Sequence, residues 1–508
     1  MGISAALDLI KDGDSIALAS AGNCGWPKYL VKKLEERFLE TGSPKGLTIY
    51  AGCGQDDDFF AHPGFVRRFI ASHPKTAPAM LAMAVKNEFE AYALPQGILQ
   101  QLYRCSAAKQ PGLLSKIGIG TYIDPRQDGG KICEACKEDI VKLMDIDGEE
   151  WLFYKSHPVT AGMLRGTTAD ENGNITIEHE ALRLEILEIA LAAKASGGKV
   201  IVQVKQITEN GKLDPKDIVI PAELVNAVVI CEEPEIYHKQ SENVMYSPYF
   251  SGEHRAPASA AAPPPSELNA NDIVCRRAVY EMFPGAVINI GVGIGIGTAA
   301  VATTEGLSEK VTSTVELGVF GGTPQLSEFP ATLNPTSMIS HVHMFDFYHA
   351  GGLDIAFLGA AQIDRQGNVN SSMFNNVSSG QGGFIDISST SKKVVFCTYF
   401  KAKGLKTNVA DGTLNILQEG KIPKLVENVD QITFNGKIAL ENGKEVVICT
   451  ERAVFQLTKD GLMLTEIAPG MDLEKDILGH MEFKPIVSDQ LKAMDSRIFV
   501  PGRMGCFD

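Results

Sequence analysis

Short apolar runs, glycine-rich turns and stretches with an apolar residue every three or four positions alternate along this chain, the pattern of an α/β protein. Asp14 to Ser20 is an apolar run that predicts a buried strand, and Ala21 to Gly25 a tight turn. Pro27 suits the first turn of a helix, Leu30, Leu34 and Phe38 give that helix an apolar stripe, and Gly42 ends it. Gly46 to Gly52 predicts the next strand. Leu94 to Gly97, Ile117 to Gly120 and Pro125 to Gly130 lack clear periodicity and predict loops. Ala181 to Ala195 predicts a helix, and Lys199 to Val204 and Val225 to Cys231 predict buried strands.

The composition then shifts. Arg255 to Ser266 is rich in Pro, Ala and Ser and predicts a linker. The expected division is an N-terminal domain over residues 1–255, a linker over 256–267 and a C-terminal domain over 268–508. After the linker the pattern restarts. A helix is predicted from Leu268 to Phe283, stopped by Pro284 and Gly285, then a strand from Ala286 to Ile290. A glycine-rich turn follows from Gly291 to Gly297, then a helix from Thr298 to Glu305 and a strand from Val311 to Val315. A second correspondence is sharper. Asp170 to Thr176 (DENGNIT) resembles Asp364 to Asn370 (DRQGNVN). From the glycine of each motif to the lysine that opens the next strand, Gly173 to Lys199 and Gly367 to Lys393, the separation is 26 positions in both cases. Equal spacing of a turn and a buried strand predicts two homologous α/β halves.

At 508 residues the chain has room for two to four domains. A net charge of -15 argues against nucleic acid or an anionic membrane as the main partner, while leaving room for a small anionic ligand at a local positive site. No apolar run approaches the length of a membrane span. Met1 to Ala6 lacks the basic region and apolar core of a signal peptide, and the ten cysteines are scattered, so reduced thiols and a cytoplasmic location are expected. Cys133 and Cys136 have redox or zinc spacing, but no second pair or His-x-x-His accompanies them, so the spacing is read as coincidence.

Three places suggest chemistry. Glu316 follows the strand at Val311 to Val315 and precedes Gly318, Gly321, Gly322 and Pro324. A carboxylate at a strand end, beside glycines that allow close approach, is well placed to act on a bound molecule. The loop Gly291, Gly293, Gly295, Gly297 is spaced neither as a dinucleotide-binding fingerprint nor as a Walker A loop. It allows a ligand to reach the backbone, with a helix N-terminus at Thr298 that favours anionic groups, or it is simply a tight strand-to-helix turn. Gln96 lies between Pro95 and Gly97 and offers an amide on a constrained turn.

Glu316 with its glycines, the 291–297 loop and the run from Phe345 to Gln362 together resemble class I coenzyme A transferases, nearest the propionate/acetate CoA-transferase group. Further matching stretches are Asp364 to Asn370, Gly380 to Phe384, Lys392 to Phe396 and Thr450 to Phe455, with Phe38 to Gly42, Lys116 to Arg126 and Phe250 to Arg255 in the first half. The resemblance spans essentially the whole chain. It implies two related α/β domains and transfer of CoA from an acyl-CoA to a free carboxylic acid, with no metal and with CoA as substrate rather than cofactor. It implies the nucleophile at Glu316, the oxyanion donors at Gln96 and at a backbone N–H of Gly382 or Gly383, and CoA contacts at Gly291, Gly293, Gly295, Asn370, Gly382 and Gly383. A homo-oligomer is also implied by the resemblance.

Some positions depart from the family pattern. Leu317 stands where relatives usually have Ser or Asn, and Ile296 and Gly297 occupy the place of a common Pro. His343 and His349 flank a run in which close relatives differ, and both are expected to be packing residues. These departures predict an acyl preference other than propionate, toward a bulkier or more apolar acid. Two other readings remain open at this point: an acyl-CoA hydrolase on the same scaffold, and a non-catalytic CoA-binding subunit.

Overall fold

The computed structural model describes residues 1–54, 57–257 and 267–507. The linker expected at 256–267 therefore lies almost wholly outside the described residues. The chain forms two compact units. The first comprises Met1–Ala256, Val315–Asp346 and Phe374–Asp386; the second comprises Pro257–Thr314, Phe347–Met373 and Ile387–Asp508.

The first unit is built on seven parallel strands: β1 (Ser15–Gly22), β2 (Leu47–Gly54), β3 (Val66–Ala71), β4 (Glu90–Ala93), β5 (Ala161–Arg165), β6 (Lys199–Val204) and β7 (Ala227–Ile230). They are hydrogen-bonded in the order β7-β6-β5-β1-β2-β3-β4. Helix α1 (Lys28–Thr41) sits where the apolar stripe places it. Leu30 and Leu34 are fully buried, and Phe38 stacks on Phe65 with ring centroids 4.2 Å apart. Gly42 caps the helix at φ 73°, a left-handed backbone that glycine adopts without a Cβ penalty.

Two sequence expectations change here. Gln96 does not lie in a loop: it opens helix α2 (Gln96–Ala107) behind Pro95. The helical period is hidden because Gln96, Gln100 and Gln101 are buried together with the apolar residues. The helix expected from Ala181 begins only at Ile186, as α3 (Ile186–Ala195). Leu184 has φ 50°, and a left-handed residue of this size cannot continue a right-handed helix.

The second unit carries helices α4 (Ala270–Ala278) and α5 (Gly297–Thr304) and strands β8 (Val287–Ile290), β9 (Thr312–Val315), β10 (Ile355–Gly359), β11 (Lys393–Cys397), β12 (Glu445–Cys449), β13 (Ala453–Thr458), β14 (Gly461–Ile467) and β15 (Ile486–Ala493). Their order is β9-β8-β10-β11-β12-β13-β14-β15, with β9 to β12 parallel and the pairs around β13 antiparallel. The segment β12-β11-β10-β8-β9 repeats β7-β6-β5-β1-β2 of the first unit. Register repeats too: Lys199 pairs with Ala161, and Lys393 pairs with Ile355.

The matching motifs fold alike. Asp170 Oδ1 accepts from the N–H groups of Asn172, Gly173 and Asn174 at 2.9–3.0 Å, and Oδ2 accepts from Asn174 Nδ2 at 2.7 Å. Asp364 Oδ1 accepts from Gln366 and Asn368 N–H at 2.9 and 3.0 Å, and Oδ2 accepts from Asn368 Nδ2 at 3.0 Å. Each motif is an aspartate wrapping its own turn around a glycine of positive φ, Gly173 or Gly367. The homologous halves predicted from spacing are thus visible as the same turn feeding the same strand.

Candidate active site

The chain leaves β9 through Val315 and turns at once. Val315 and Leu317 are buried, at 2% and 3% exposure, while Glu316 between them is only half-buried. The turn requires glycine. Gly318 has φ 107°, and a Cβ there would lie 2.2 Å from the carbonyl oxygen of Ile339. A Cβ on Gly322 would lie 2.3 Å from the carbonyl oxygen of Leu333. Backbone packing at these glycines therefore holds the segment that presents Glu316.

Gln96 is placed by three contacts within the same unit. Its backbone N–H donates to the Gly382 carbonyl at 3.1 Å. The next residue, Gly97, donates its N–H to Asp386 Oδ2 at 3.1 Å. Its side-chain amide lies 2.8 Å from Nε2 of His341. An amide nitrogen can only donate, so His341 Nε2 accepts and the ring proton sits on Nδ1. Nδ1 lies 2.7 Å from Glu185 Oε2, to which it donates. Gln96, His341 and Glu185 are 1%, 0% and 0% exposed, so the chain of hydrogen bonds runs entirely through protein. In a buried setting such a chain fixes both tautomer and direction.

Local structure explains the two supporting residues. Glu185 occupies the N-cap position of α3, following the left-handed Leu184. Leu184 also accepts the backbone N–H of His341 at 3.2 Å. His341 opens α6 (His341–His349). One turn into α3, Glu188 accepts from Ser340 Oγ at 3.1 Å, and burial pushes the Glu188 carboxyl up from its ordinary range. One turn into α6, Asp346 receives both terminal nitrogens of Arg104 at 2.5 and 2.7 Å. Helices α2, α3 and α6 thus meet through polar side chains, buried from Gln96 to Glu185 and exposed at Arg104.

The turn at 382–383 comes to the same place. The Gly382 N–H donates to the Ser72 carbonyl at 2.9 Å, and the Gly382 carbonyl accepts from Gln96. The Gly383 N–H makes no backbone hydrogen bond among the described residues. Of the two glycine N–H groups, that of Gly382 is already given to a carbonyl. Helix α7 (Phe384–Thr390) starts directly after it and carries Asp386 in its first turn.

The remaining sequence candidates lie in the second unit. Gly291 and Gly295 pack against β10: a Cβ on either would lie 3.2 Å from the Phe357 carbonyl oxygen. Gly293, at φ 102°, meets nothing within 4 Å on its open side. The glycines at 291 and 295 are thus explained by strand packing, and only the stretch at 292–293 is exposed. Asn370 is 1% exposed and holds its own turn, donating to Gln362 Oε1 and the Met373 carbonyl at 2.7 and 2.9 Å.

The fold and these residues can be set beside known proteins. A family model described as "Coenzyme A transferase" matches residues 1–230. The chain is 43% identical over 506 residues to a caffeate CoA-transferase of Acetobacterium woodii, covering 97% of this chain and 96% of that protein. The chain belongs to the coenzyme A transferase family. It is also 43% identical to the acetate CoA-transferase YdiF of Escherichia coli, covering 98% of this chain and 95% of that one. The solved apoenzyme of YdiF from E. coli O157:H7 superposes with a TM-score of 0.93 at 40% identity, over 99% of this chain and 96% of that one. A second structure of that enzyme, a thioester complex with CoA, gives 0.92. Malonate decarboxylase α subunit, at 14% identity and a TM-score of 0.54, shares the fold alone.

In this CoA-transferase, the sequence reading named Glu316, Gln96 and the 382–383 turn as candidates; it did not name His341 or Glu185, which the structure joins to Gln96. It singled out His343 and His349 instead. His343 is exposed and bonds Ser340 Oγ at 2.9 Å, so it is not a packing residue. His341, two positions earlier, is the buried one. Nothing in the spacing of three histidines distinguishes them; the partner that does is 156 positions away. No described helix is long and apolar enough to cross a membrane.

Proposed function

We propose that this CoA-transferase moves coenzyme A from a short-chain acyl-CoA to a free carboxylic acid by a ping-pong route, with a glutamyl-CoA thioester on Glu316 and no metal or cofactor. The observation that carries this reading is the half-buried Glu316 at the end of β9, held by glycine turns in the same unit as Gln96 and Gly383. A carboxylate can exchange with a thioester by covalent catalysis. Glu316 attacks the thioester carbonyl, giving an acyl-glutamyl anhydride and CoA thiolate. The thiolate attacks the Glu316 carbonyl carbon, forming the glutamyl-CoA thioester and releasing the first acid as its carboxylate. The acceptor carboxylate reverses these steps and leaves as its CoA ester.

Each addition places negative charge on a carbonyl oxygen. On this reading the Gln96 side-chain amide, ordered by His341, and the Gly383 N–H are the donors to that oxygen. Fixed donors of this kind are each worth about 3 kcal/mol of barrier. CoA also offers a long tail far from the reacting carbon. Its binding energy can hold thioester and Glu316 together and exclude the water that would hydrolyse glutamyl-CoA.

The acid itself is a finer matter. Two relatives with the same 43% identity are named for caffeate and for acetate, so overall identity does not select it. Leu317, next to the nucleophile, supports an acid bulkier or more apolar than propionate. Rates across acetate, propionate, butyrate, lactate and an aromatic acid test this, and a clear preference for propionate would remove it. The mechanism is tested by incubating the protein with acyl-CoA and locating a CoA adduct by peptide mass spectrometry. The adduct is expected on Glu316 and absent from Glu316→Gln. Full transfer activity in Glu316→Gln would refute the assignment.

A further inference from the structure

β4 is the last strand of the first unit's sheet, and its free edge is not left bare. The segment 130–136 runs antiparallel along it. Ala93 N–H donates to the Gly130 carbonyl at 2.8 Å, and Ile132 N–H to the Ala91 carbonyl at 2.9 Å. At the far end the backbone gives way to sulfur. Cys136 Sγ accepts the Ala91 N–H at 3.3 Å and donates to the Ala91 carbonyl at 2.9 Å. Cys133 Sγ lies 3.4 Å from the Phe89 carbonyl oxygen and 3.7 Å from Cys136 Sγ. Two thiols thus hold the edge of the strand that runs, by way of Leu94 and Pro95, directly into Gln96.

The two sulfurs differ in kind. Cys133 is half-buried and lines an open cleft of about 400 Å³ with Gln127, Lys131 and Asp139, while Cys136 is buried behind it. Once Cys133 loses its proton, the Cys136 thiol can turn from the Ala91 carbonyl to donate to it, which lowers Cys133 to about 6 against the desolvation that raises it. The same hydrogen bond, with burial, pushes Cys136 up. A half-buried, thiolate-prone sulfur that lines an open cleft, backed by a second thiol three residues on, is the arrangement of an attacking and a resolving cysteine.

We infer that Cys133 and Cys136 form a reversible thiol–disulfide pair that reacts with small-molecule disulfides and whose oxidation loosens β4 upstream of Gln96. The Cys133 thiolate attacks one sulfur of a disulfide RSSR, forming a mixed disulfide and expelling RS⁻. Cys136 gives up its proton, attacks Cys133 Sγ and expels the second RS⁻. Two protein thiols are oxidised, one external disulfide is reduced to two thiols, and the two protons end on the released RS⁻ groups. Closure brings the two sulfurs from 3.7 Å to a bond of about 2 Å. The disulfide has no S–H to donate, so the contacts from sulfur to the Phe89 and Ala91 carbonyls are lost.

The test uses the full-length protein in glutathione buffers of graded oxidised-to-reduced ratio, quenched with an alkylating agent and mapped by mass spectrometry. The peptide holding both cysteines is expected to become about 2 Da lighter with no glutathione attached, and to revert with dithiothreitol. Cys136→Ser is expected to accumulate glutathione on Cys133, and Cys133→Ser to remain unreacted at Cys136. Amide exchange from Phe89 to Gln96 is expected to rise on oxidation. A wild-type protein that alkylates fully at both sulfurs at every ratio, or that keeps glutathione on Cys133 unresolved, would overturn the pair. A disulfide with unchanged exchange would overturn its coupling to β4. None of these readouts depends on Glu316 or on transferase activity.

Discussion

The side-chain nitrogen of Gln96 lies 2.8 Å from Nε2 of His341, 245 positions further along the chain, and Glu185 holds the opposite face of that imidazole. His341 is therefore a positioning residue. It can accept from Gln96 only while its proton is on Nδ1, and Glu185 keeps it there. Gln96→Ala is expected to lower kcat by about 10²- to 10³-fold. His341→Phe, which keeps the ring but not the acceptor, is expected to lower kcat with a smaller change in KM. Because both changes act on one donor, the double variant should be little worse than Gln96→Ala alone. Fully additive losses would show that His341 does not act through Gln96.

Gly97 is a second support for Gln96. A Cβ at this position would lie 2.5 Å from the Phe345 ring and 2.6 Å from Asp386 Oδ1. Gly97→Ala should therefore destabilise the protein by about 1–3 kcal/mol and reduce kcat together, since overpacking shifts the start of α2. Asp386→Asn keeps an acceptor for the Gly97 N–H and should be milder than Asp386→Ala. Thermal melts and steady-state kinetics on the three variants check this order.

The duplicated aspartates give a prediction about the two halves. Asp170 and Asp364 each serve as acceptor for a whole turn and its asparagine. For Asp170 those hydrogen bonds hold the carboxyl below its usual range despite the desolvation that raises it. Asp170→Ala and Asp364→Ala should each cost about 1–3 kcal/mol, because each removes the side-chain acceptor of one buried backbone N–H, Gly173 or Asn368, along with its half-buried neighbours. Denaturant unfolding of the two variants should give similar losses; a large cost for one and none for the other would contradict equivalent roles.

Acid sensitivity follows from a different histidine. His238 is fully buried, with Nδ1 3.1 Å from Gln203 Nε2 and Nε2 3.3 Å from Glu180 Oε1. Burial, with the positive charge of Arg165, lowers His238 to about 4, so it is neutral in the folded protein at pH 7. Glu180, held low chiefly by Arg165 against its own burial, is the charged partner of that guanidinium, 2.6 Å away. A histidine whose folded value is depressed takes up its proton more readily when unfolded. Stability is therefore greatest above about pH 6.5 and falls as pH drops toward 4, by at most about 3 kcal/mol from this group. Urea midpoints measured from pH 7 to pH 4.5 should fall, and His238→Gln should flatten that fall.

Local chemistry was enough for much of the fold. The apolar run of β1 and the stripe and glycine cap of α1 are decided by neighbours within a few residues. So was the duplication, because an Asx-type turn and the strand after it keep their spacing in both halves. Family resemblance then singled out Glu316, Gln96 and the 382–383 turn; all three fall in the first unit, and the hydrogen bonds at Gly382 and Gly97 join Gln96 to that turn.

What lay beyond the sequence was always a matter of partners far apart in the chain. Buried glutamines hid the period of α2, a left-handed leucine shortened α3, and three nearby histidines gave no sign that His341 alone is enclosed. Hydrophobic pattern and turn chemistry act over short separations and can be read in order along the chain. Which nitrogen of a buried imidazole carries its proton depends on groups brought together only when α2, α3 and α6 pack, so only the tertiary structure decides it.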